Sequence, residues 1–566
     1  MKRKPLLFVI LSSVWFILNI VQALFTEIGN DEAYYWVYSQ NLDWGYFDHP
    51  PMIALIIKCG TMLFGQTTFG VRFFVSLSQL LFLWILFKLV NIPRTIQNII
   101  LFFIISFSVV MLQAYGFVAT PDVPLLLFTV LFLWSFKYYV DTDYSWQGSL
   151  WLSVCMAALM YSKYHGAFII FFVLLSDLKL FRKKSFYLSV LFSIVLFLPH
   201  ILWQINHAFP SLQYHLVDRS KPFKWFNFVD FALNQFPVFN PFTLPAAIYV
   251  IFHRKNRSPF ERSLKFLFVG FILFFTFWNF KSRVEPHWTI AAAIPMIILM
   301  VREASQNIKL KRYVTRIMAP SLLLLILMRF FLIFDILPIP TEWHGDKQRV
   351  ADLKTYAKDR PVVYLRGFQM PSKYRFYTAN SSGDASCVGV LNYRHTQYDF
   401  WRFDEAYWDK AVVINLRGDT PAENLVRINK NDFYLLPVEH YQPYKRLKVK
   451  PASKGSIALK TGQHASLPIT IENPYDKTFH INHPEMPLQI YLVTDAKIDG
   501  KWQQKAIKVH ARFDKEQIVA KETVGAEIEF TVPGFLTGTH HLLFAAGTPL
   551  LYPASLEKPI EIDFQK

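Results

Sequence analysis

Apolar residues fall in long runs through the first part of the chain and thin out abruptly near residue 340. The runs lie near 6–25, 71–90, 98–113, 122–140, 148–161, 166–181, 185–203, 229–252, 263–280, 287–301 and 315–335, with short polar loops between them. A bilayer core takes roughly 17–25 apolar residues of helix to cross, so this pattern predicts about eleven membrane spans. The first run follows Lys2, Arg3 and Lys4, as in a signal peptide, but its length and the spans behind it favour a retained helix.

Beyond residue 340 the pattern is that of soluble protein. Strand-like pieces, Val362 to Leu365 and Ala411 to Ile414, mix with helical ones and predict an α/β module over 339–445. From 446 the alternation has period two. Ala526-Glu527-Ile528-Glu529-Phe530-Thr531-Val532 ends at Pro533-Gly534, and similar strands run near 465–473, 488–497, 504–513 and 538–546. Several short strands at this spacing predict a β-sandwich over 446–566. The expected architecture is an α-helical polytopic membrane domain over 1–338 followed by these two modules, both extracytoplasmic.

That placement comes from the loops. With the N-terminus in the cytoplasm, the inside loops hold Arg182-Lys183-Lys184, Arg254-Lys255-Asn256-Arg257 and the stretch from Arg302 to Arg316. About 19 basic residues then lie inside and about 6 in the outside loops, as the positive-inside rule requires. An odd number of spans leaves the C-terminal region outside. The segments around Asp31-Glu32, Asp48-His49-Pro50-Pro51, Thr120-Pro121-Asp122, Lys163, 204–224 and Arg283-Val284-Glu285 share that outer face.

Composition agrees with a membrane protein. Of 566 residues 53% are hydrophobic and 18% are charged, against about a quarter charged in soluble domains. The net charge of +18 sits largely in the inside loops, and no nucleic-acid-binding motif accompanies it. Cys59, Cys155 and Cys387 have neither disulfide-framework nor zinc spacing.

Each motif has a plain reading beside a chemical one. Asp31-Glu32 suits a helix N-terminus, which favours acids. Yet the Tyr- and Trp-rich stretch from Tyr34 to Tyr46 follows, and residues 26–51 contain no Lys or Arg. A carboxylate at such a boundary suits a general base or a metal ligand. The prolines after Asp48-His49 open a helix from Met52, which leaves His49 to contact a phosphate. Thr120-Pro121-Asp122 reads as a capped helix start whose Asp122 can face the same cavity. Lys163 reads as a snorkelling lysine or a phosphate partner. Arg283 reads as the ion-pair partner of Glu285 or as a phosphate clamp. His200, His207, His215 and His287 are too irregularly spaced for a metal motif and read as structural or interfacial.

Taken in order, Asp31-Glu32-Ala33-Tyr34-Tyr35-Trp36, Tyr46-Phe47-Asp48-His49-Pro50-Pro51, Thr120-Pro121-Asp122 and Ser162-Lys163-Tyr164 resemble the bacterial protein-mannosyltransferase-like branch of the GT-C glycosyltransferases. That branch includes the aminoarabinose and galacturonic acid transferases of lipid A and lipopolysaccharide. The resemblance covers roughly residues 1–335 and implies transfer, with inversion, of a sugar from a polyprenyl-phosphate donor at the outer leaflet of the inner membrane. The acceptor would be an envelope molecule: lipid A, core sugar, another glycan or protein. It implies Asp31 and Glu32 as the catalytic acidic pair, holding a divalent metal ion if one is used. Lys163, Arg283 and His49 would offset the charge of the departing phosphate, and Asp122, with Asp48 and Glu285, would line the sugar or acceptor pocket. Where the aminoarabinose enzyme has an arginine after the acidic pair and a lysine before the prolines, this chain has Tyr34 and His49. The resemblance therefore does not carry over aminoarabinose as the donor sugar. A transporter or flippase would place ionisable residues at mid-depth and show inverted repeats, and neither is seen. A non-catalytic envelope scaffold would rest on the β-rich ending alone.

Overall fold

The structure is a computed structural model of the full chain. It describes all residues except 1–2, 220–223, 337–338, 380, 382, 390–394, 417–423, 453–457, 499–500, 537, 550, 558–559 and 566. The chain divides into two compact units, Met1–Asp346 and Lys347–Lys566. The domain boundary expected at 338 falls on residues outside those described.

The first unit is helical. Its elements are α1 (Arg3–Phe25), α2 (Asn30–Gln40), α3 (Met52–Phe64), α4 (Thr68–Val90), α5 (Ile96–Ser108), α6 (Val110–Ala114), α7 (Asp122–Asp141), α8 (Trp146–Ser162), α9 (Gly166–Leu175) and α10 (Lys184–Asn206). They continue as α11 (Pro210–Gln213), α12 (Trp225–Phe239), α13 (Thr243–His253), α14 (Pro259–Trp278), α15 (Ala293–Ala304), α16 (Ile308–Tyr313) and α17 (Ala319–Phe334). Side-chain caps start several of them: Thr67, Thr95, Ser145 and Ser258 each accept a backbone N–H from the first turn that follows.

All eleven expected segments carry helix, but among the described residues six stretches have the length and apolarity of a span. These are Leu6–Phe25, Thr68–Val90, Asp122–Asp141, Lys184–Asn206, Pro286–Ala304 and Ile308–Phe334. The expected segment 229–252 is α12 and α13, bent by 98° at the break between them; as one span it makes seven. Helices α5 and α9 are apolar but shorter than a bilayer requires. Apolar periodicity registers all of these alike, and only the breaks separate full spans from partial ones.

The second unit holds α18 (Asp346–Ala357), α19 (Gln369–Thr378), α20 (Gln397–Phe400) and two main sheets. Strands β1 (Val362–Tyr364), β2 (Ala385–Cys387), β3 (Val412–Asn415), β4 (Leu425–Ile428) and β5 (Asn431–Val438) form the first, in the order β2-β1-β3-β5-β4. Strands β2, β1 and β3 run parallel, with α19 in the crossover between β1 and β2.

The larger sheet takes β6 (Lys448–Pro451), β7 (Ala458–Lys460), β8 (His464–Glu472), β10 (Gln489–Ile498), β11 (Lys501–Phe513), β13 (Thr523–Thr531), β14 (Gly538–Thr548), β15 (Leu551–Ala554) and β16 (Ile560–Gln565). Short strands β9 (Phe479–His480) and β12 (Gln517–Ile518) pair separately. Strand β11 pairs with β10 through Lys501–Val509 and with β13 through His510–Phe513. A long strand shared in this way lets one sheet fold over on itself. The alternation read from Ala526 to Val532 is realised on β13, where Val524, Ala526, Ile528 and Phe530 are buried. These side chains join Val363, Val412 and Ile414 of the smaller sheet in one hydrophobic core. Ile528 has no exposed surface, so Ile528→Ala is expected to lower the unfolding free energy of this unit by about 2–5 kcal/mol. Denaturant titration of the full chain, followed by proteolytic sensitivity of the β-rich unit, checks this.

Candidate active site

The first turn of α2 carries the acidic pair, and its two members have opposite surroundings. Asp31 is exposed, whereas Glu32 is 1% exposed. Arg72, itself 0% exposed, donates from Nε to Glu32 Oε1 at 2.8 Å and from Nη2 to Oε2 at 2.5 Å. The backbone N–H groups of Ala119 and Gly29 donate to the same carboxylate, each at 2.8 Å. Arg72 also donates to the carbonyls of Thr26 and Glu27 at the end of α1. Burial alone would raise the pKa of Glu32, but the Arg72 charge and these hydrogen bonds outweigh it and hold the carboxyl below its ordinary value. Both oxygens are saturated, so Glu32, read from the sequence as a catalytic partner of Asp31, is a clamp. Removing one member of such a pair costs about 3–5 kcal/mol.

The clamp ties α2 to the loop that leads into α7. Tyr115 on that loop is buried and lies close to Asp122 and Asp31. Asp122 opens α7 and accepts from Lys163 Nζ at 2.8 and 2.9 Å, both side chains being almost wholly buried. His49 and His287 lie close to Asp122. The helix starts with Pro121 at the cap position and no side-chain capping bond. Thr120, expected to cap it, has a buried hydroxyl with no hydrogen-bond partner. Asp31, Tyr115, Asp122 and Lys163 thus form a chain of neighbours drawn from α2, the loop before α7, the start of α7 and the end of α8.

Lys163 opens onto a cavity of about 290 Å³. The cavity also takes His49, His165, His215 and Arg219, and no carboxylate lines it. Its remaining wall is largely aromatic and aliphatic, with Phe168, Phe274, Phe275, Trp278 and Trp288. His165 is 7% exposed, lies 5.0 Å from the ring centres of Phe275 and Trp288, and has a buried Nδ1 with no partner. His49 Nδ1 is likewise buried without a partner. Burial lowers the pKa of His49 and of His215 to about 4 and pushes that of His165 down as well, so these imidazoles are neutral at pH 7.

Arg219 sits 4.6 Å over the Trp288 ring and pairs with Glu285 at 3.2 Å. Arg283, expected at this position, is exposed and absent from the cavity wall, and Glu285 pairs with Arg219 rather than with it. Tyr34 is buried beside Tyr38, their ring centres 4.7 Å apart, and Tyr38 donates to Asp48 at 2.6 Å. Tyr34 and Asp48 therefore brace the loop that carries His49, and neither lines the cavity. His200 Nδ1 donates to Trp44 O (2.7 Å) and its Nε2 bonds with Tyr164 Oη (3.1 Å), a structural role. His215, read as structural with it, belongs to the cavity. Arg72, Tyr115, His165 and Arg219 escaped the sequence reading; the one signal for Arg72 was an arginine at the very start of an apolar run.

Among the described residues no group of three or more His, Cys, Asp and Glu side chains is arranged to hold a metal ion. With Glu32 committed to Arg72, Asp31 and Glu32 do not fit as an ion-holding pair.

Residues 48–203 match the family described as dolichyl-phosphate-mannose-protein mannosyltransferase. The lipid A galacturonosyltransferase RgtD of Rhizobium johnstonii is 25% identical over 318 residues, which are 53% of this chain and 65% of the relative. The chain thus spans just under two thirds of that relative's length. Crystal structures of ArnT from Cupriavidus metallidurans share the fold, with TM-scores of 0.57 in the apo state and 0.55 bound to undecaprenyl phosphate. Each is 14% identical and covers 76% of this chain and 97% of ArnT.

The depressed histidines give a pH dependence with a definite sign. An imidazole near 4 in the folded chain and near 6.5 unfolded binds more protons in the unfolded state between those values. Its stabilising effect is therefore complete above about pH 6.5 and fades as the pH falls toward 4. The unfolding free energy of the helical unit is expected to fall across this window by on the order of 3 kcal/mol per imidazole, lowering its unfolding temperature. Replacing His215 with Gln should flatten that drop, which scanning calorimetry or cysteine-accessibility melts at stepped pH will read.

Proposed function

We propose that this chain is a GT-C membrane glycosyltransferase that transfers a sugar from a polyprenyl-phosphate donor to a hydroxyl of an envelope acceptor, with inversion. The observation that carries it is the cavity beside Asp122. It joins two fixed cations and three imidazoles, no carboxylate, and an aromatic wall, the chemistry that a lipid-borne phosphate requires at a membrane surface.

In this reading the donor phosphate lies against Lys163 and Arg219, with His49, His165 and His215 as hydrogen-bond donors, and the first isoprene units lie along Phe274, Phe275 and Trp278. Asp31 accepts the proton of the acceptor hydroxyl while that oxygen attacks the anomeric carbon from the face opposite the phosphate. The bond between the anomeric carbon and the phosphate oxygen breaks, and its electron pair leaves with the polyprenyl phosphate. Charge grows on the departing phosphate as it does so, and preplaced cations in a site that excludes water lower the barrier most. Asp122 keeps Lys163 charged and aimed, and Tyr115 links that pair to Asp31. Glu32 and Arg72 hold the strand of chain that carries Asp31 in place. The reading puts this site and the Lys347–Lys566 unit on the outer face of the inner membrane, with the N-terminus in the cytoplasm. The acceptor class includes lipid A, core sugar, other glycans and protein.

Asp31→Asn is expected to leave a folded, inserted protein that transfers about 10²–10⁴ times more slowly. Lys163→Ala should lose about 10²–10³. Arg219→Ala is expected to fall well below parent activity, whereas Arg283→Ala stays within a few-fold of it. The assay is mass spectrometry of envelope lipids and glycans from cells with the parent gene, each variant or none; the mass difference names the sugar. Parent activity in the Asp31→Asn protein would sink the base assignment.

A further inference from the structure

A second crevice lies wholly within the Lys347–Lys566 unit, and the reaction above makes no use of it. Strand β1 is central: the chain leaves it through α19 to reach β2 on one side, while β3 flanks it on the other. In parallel sheets the connections diverge at such a point and leave a gap at the carboxyl ends of the strands, where ligands bind. The gap is present here. A cavity of about 510 Å³ is lined by Arg349, Tyr364, Arg366, Met370, Asn415 and Phe433, among others. Its volume is within the roughly 300–1,000 Å³ of small-ligand pockets.

The register makes Tyr364 and Asn415 neighbours as the last residues of β1 and β3. Tyr364 is 6% exposed, so its hydroxyl and the Asn415 amide offer polar groups at the floor of the crevice. Beyond them the chain turns at Gly367, with φ of +84°, into α19, and that turn brings Arg366 and Met370 to the rim. Arg349 on α18 lies 5.4 Å from the centre of the Phe433 ring on the other side. Among the described residues no carboxylate lines the crevice. Among the described residues neither Arg349 nor Arg366 is in an ion pair, although Arg360, Arg375 and Arg427 of the same unit each have one. Two guanidinium forks with no counter-ion among the described residues, an aromatic face and a floor of hydroxyl and amide match a sugar bearing one anionic group. The forks suit phosphate or carboxylate, and the floor suits ring hydroxyls.

We infer that this crevice is a binding site for an anionic saccharide, separate from the cavity beside Lys163. Saturation-transfer NMR on the full chain in detergent, without polyprenyl donor, tests it with glucose 6-phosphate, glucuronate, glucose and inorganic phosphate. At least one of the two anionic sugars is expected to bind saturably and to weaken about tenfold or more in Arg349→Ala and in Arg366→Ala. Both arginines are exposed, so unchanged thermal unfolding of these variants is expected and is checked in parallel. Lys163→Ala should bind as the parent does. Equal binding of glucose, equal binding of inorganic phosphate, or parent-like binding in both arginine variants would each overturn the inference. Loss of binding in Lys163→Ala alone would also overturn it, because the sugar would then be seated in the helical unit. Transfer activity is not read, so these outcomes are independent of the proposed reaction.

Discussion

A carboxylate and a guanidinium sealed from water can coexist only if each satisfies the other, and the Glu32–Arg72 pair organises this fold around that requirement. Arg72 leaves α4 and reaches the Thr26 and Glu27 carbonyls just past α1; Glu32 leaves α2 and takes N–H groups from Gly29 and Ala119. One buried contact thereby sets the relative positions of α1, α2, α4 and the loop before α7. Asp31 is the residue next to the clamp and inherits its position. Glu342, just before the second unit, accepts the Asn30 N–H at 2.9 Å and adds a tie at the same point. The buried carboxylate thus fixes the position of its exposed neighbour, Asp31.

The Asp122–Lys163 pair presents the complementary case. Here the cation is fixed by its partner yet still borders a cavity, so part of its field remains available to a ligand. The neighbouring imidazoles are neutral because burial disfavours their charged form, and so they add hydrogen-bonding groups without adding repulsion. An arriving phosphate would meet one fixed charge at Lys163, a second at Arg219, and an otherwise apolar enclosure. Low dielectric would strengthen each of those interactions.

Much of this was legible along the chain. Long apolar runs register directly because a helix in lipid must bury every backbone polar group along its length. The alternation of Ala526 to Val532 announced a half-buried strand for an equally local reason. The motif positions Asp31, His49, Asp122 and Lys163 also lie near one another in the fold. Thr120 caps nothing although its position suits a cap, and the single apolar run 229–252 folds as two helices, α12 and α13, bent by 98° at their junction.

The sequence by itself determined which segments are helical or extended, that the first unit belongs to a membrane, and which polar segments stand together at one end of it. Those properties depend on composition and period over a few turns, which neighbours in sequence control. Only the tertiary structure decided which acid of the pair is buried, that Arg219 rather than Arg283 borders the cavity, and that His165 and His215 belong to it. Ion pairs and cavities join residues far apart in the chain, and no local period encodes which cation a given carboxylate will meet.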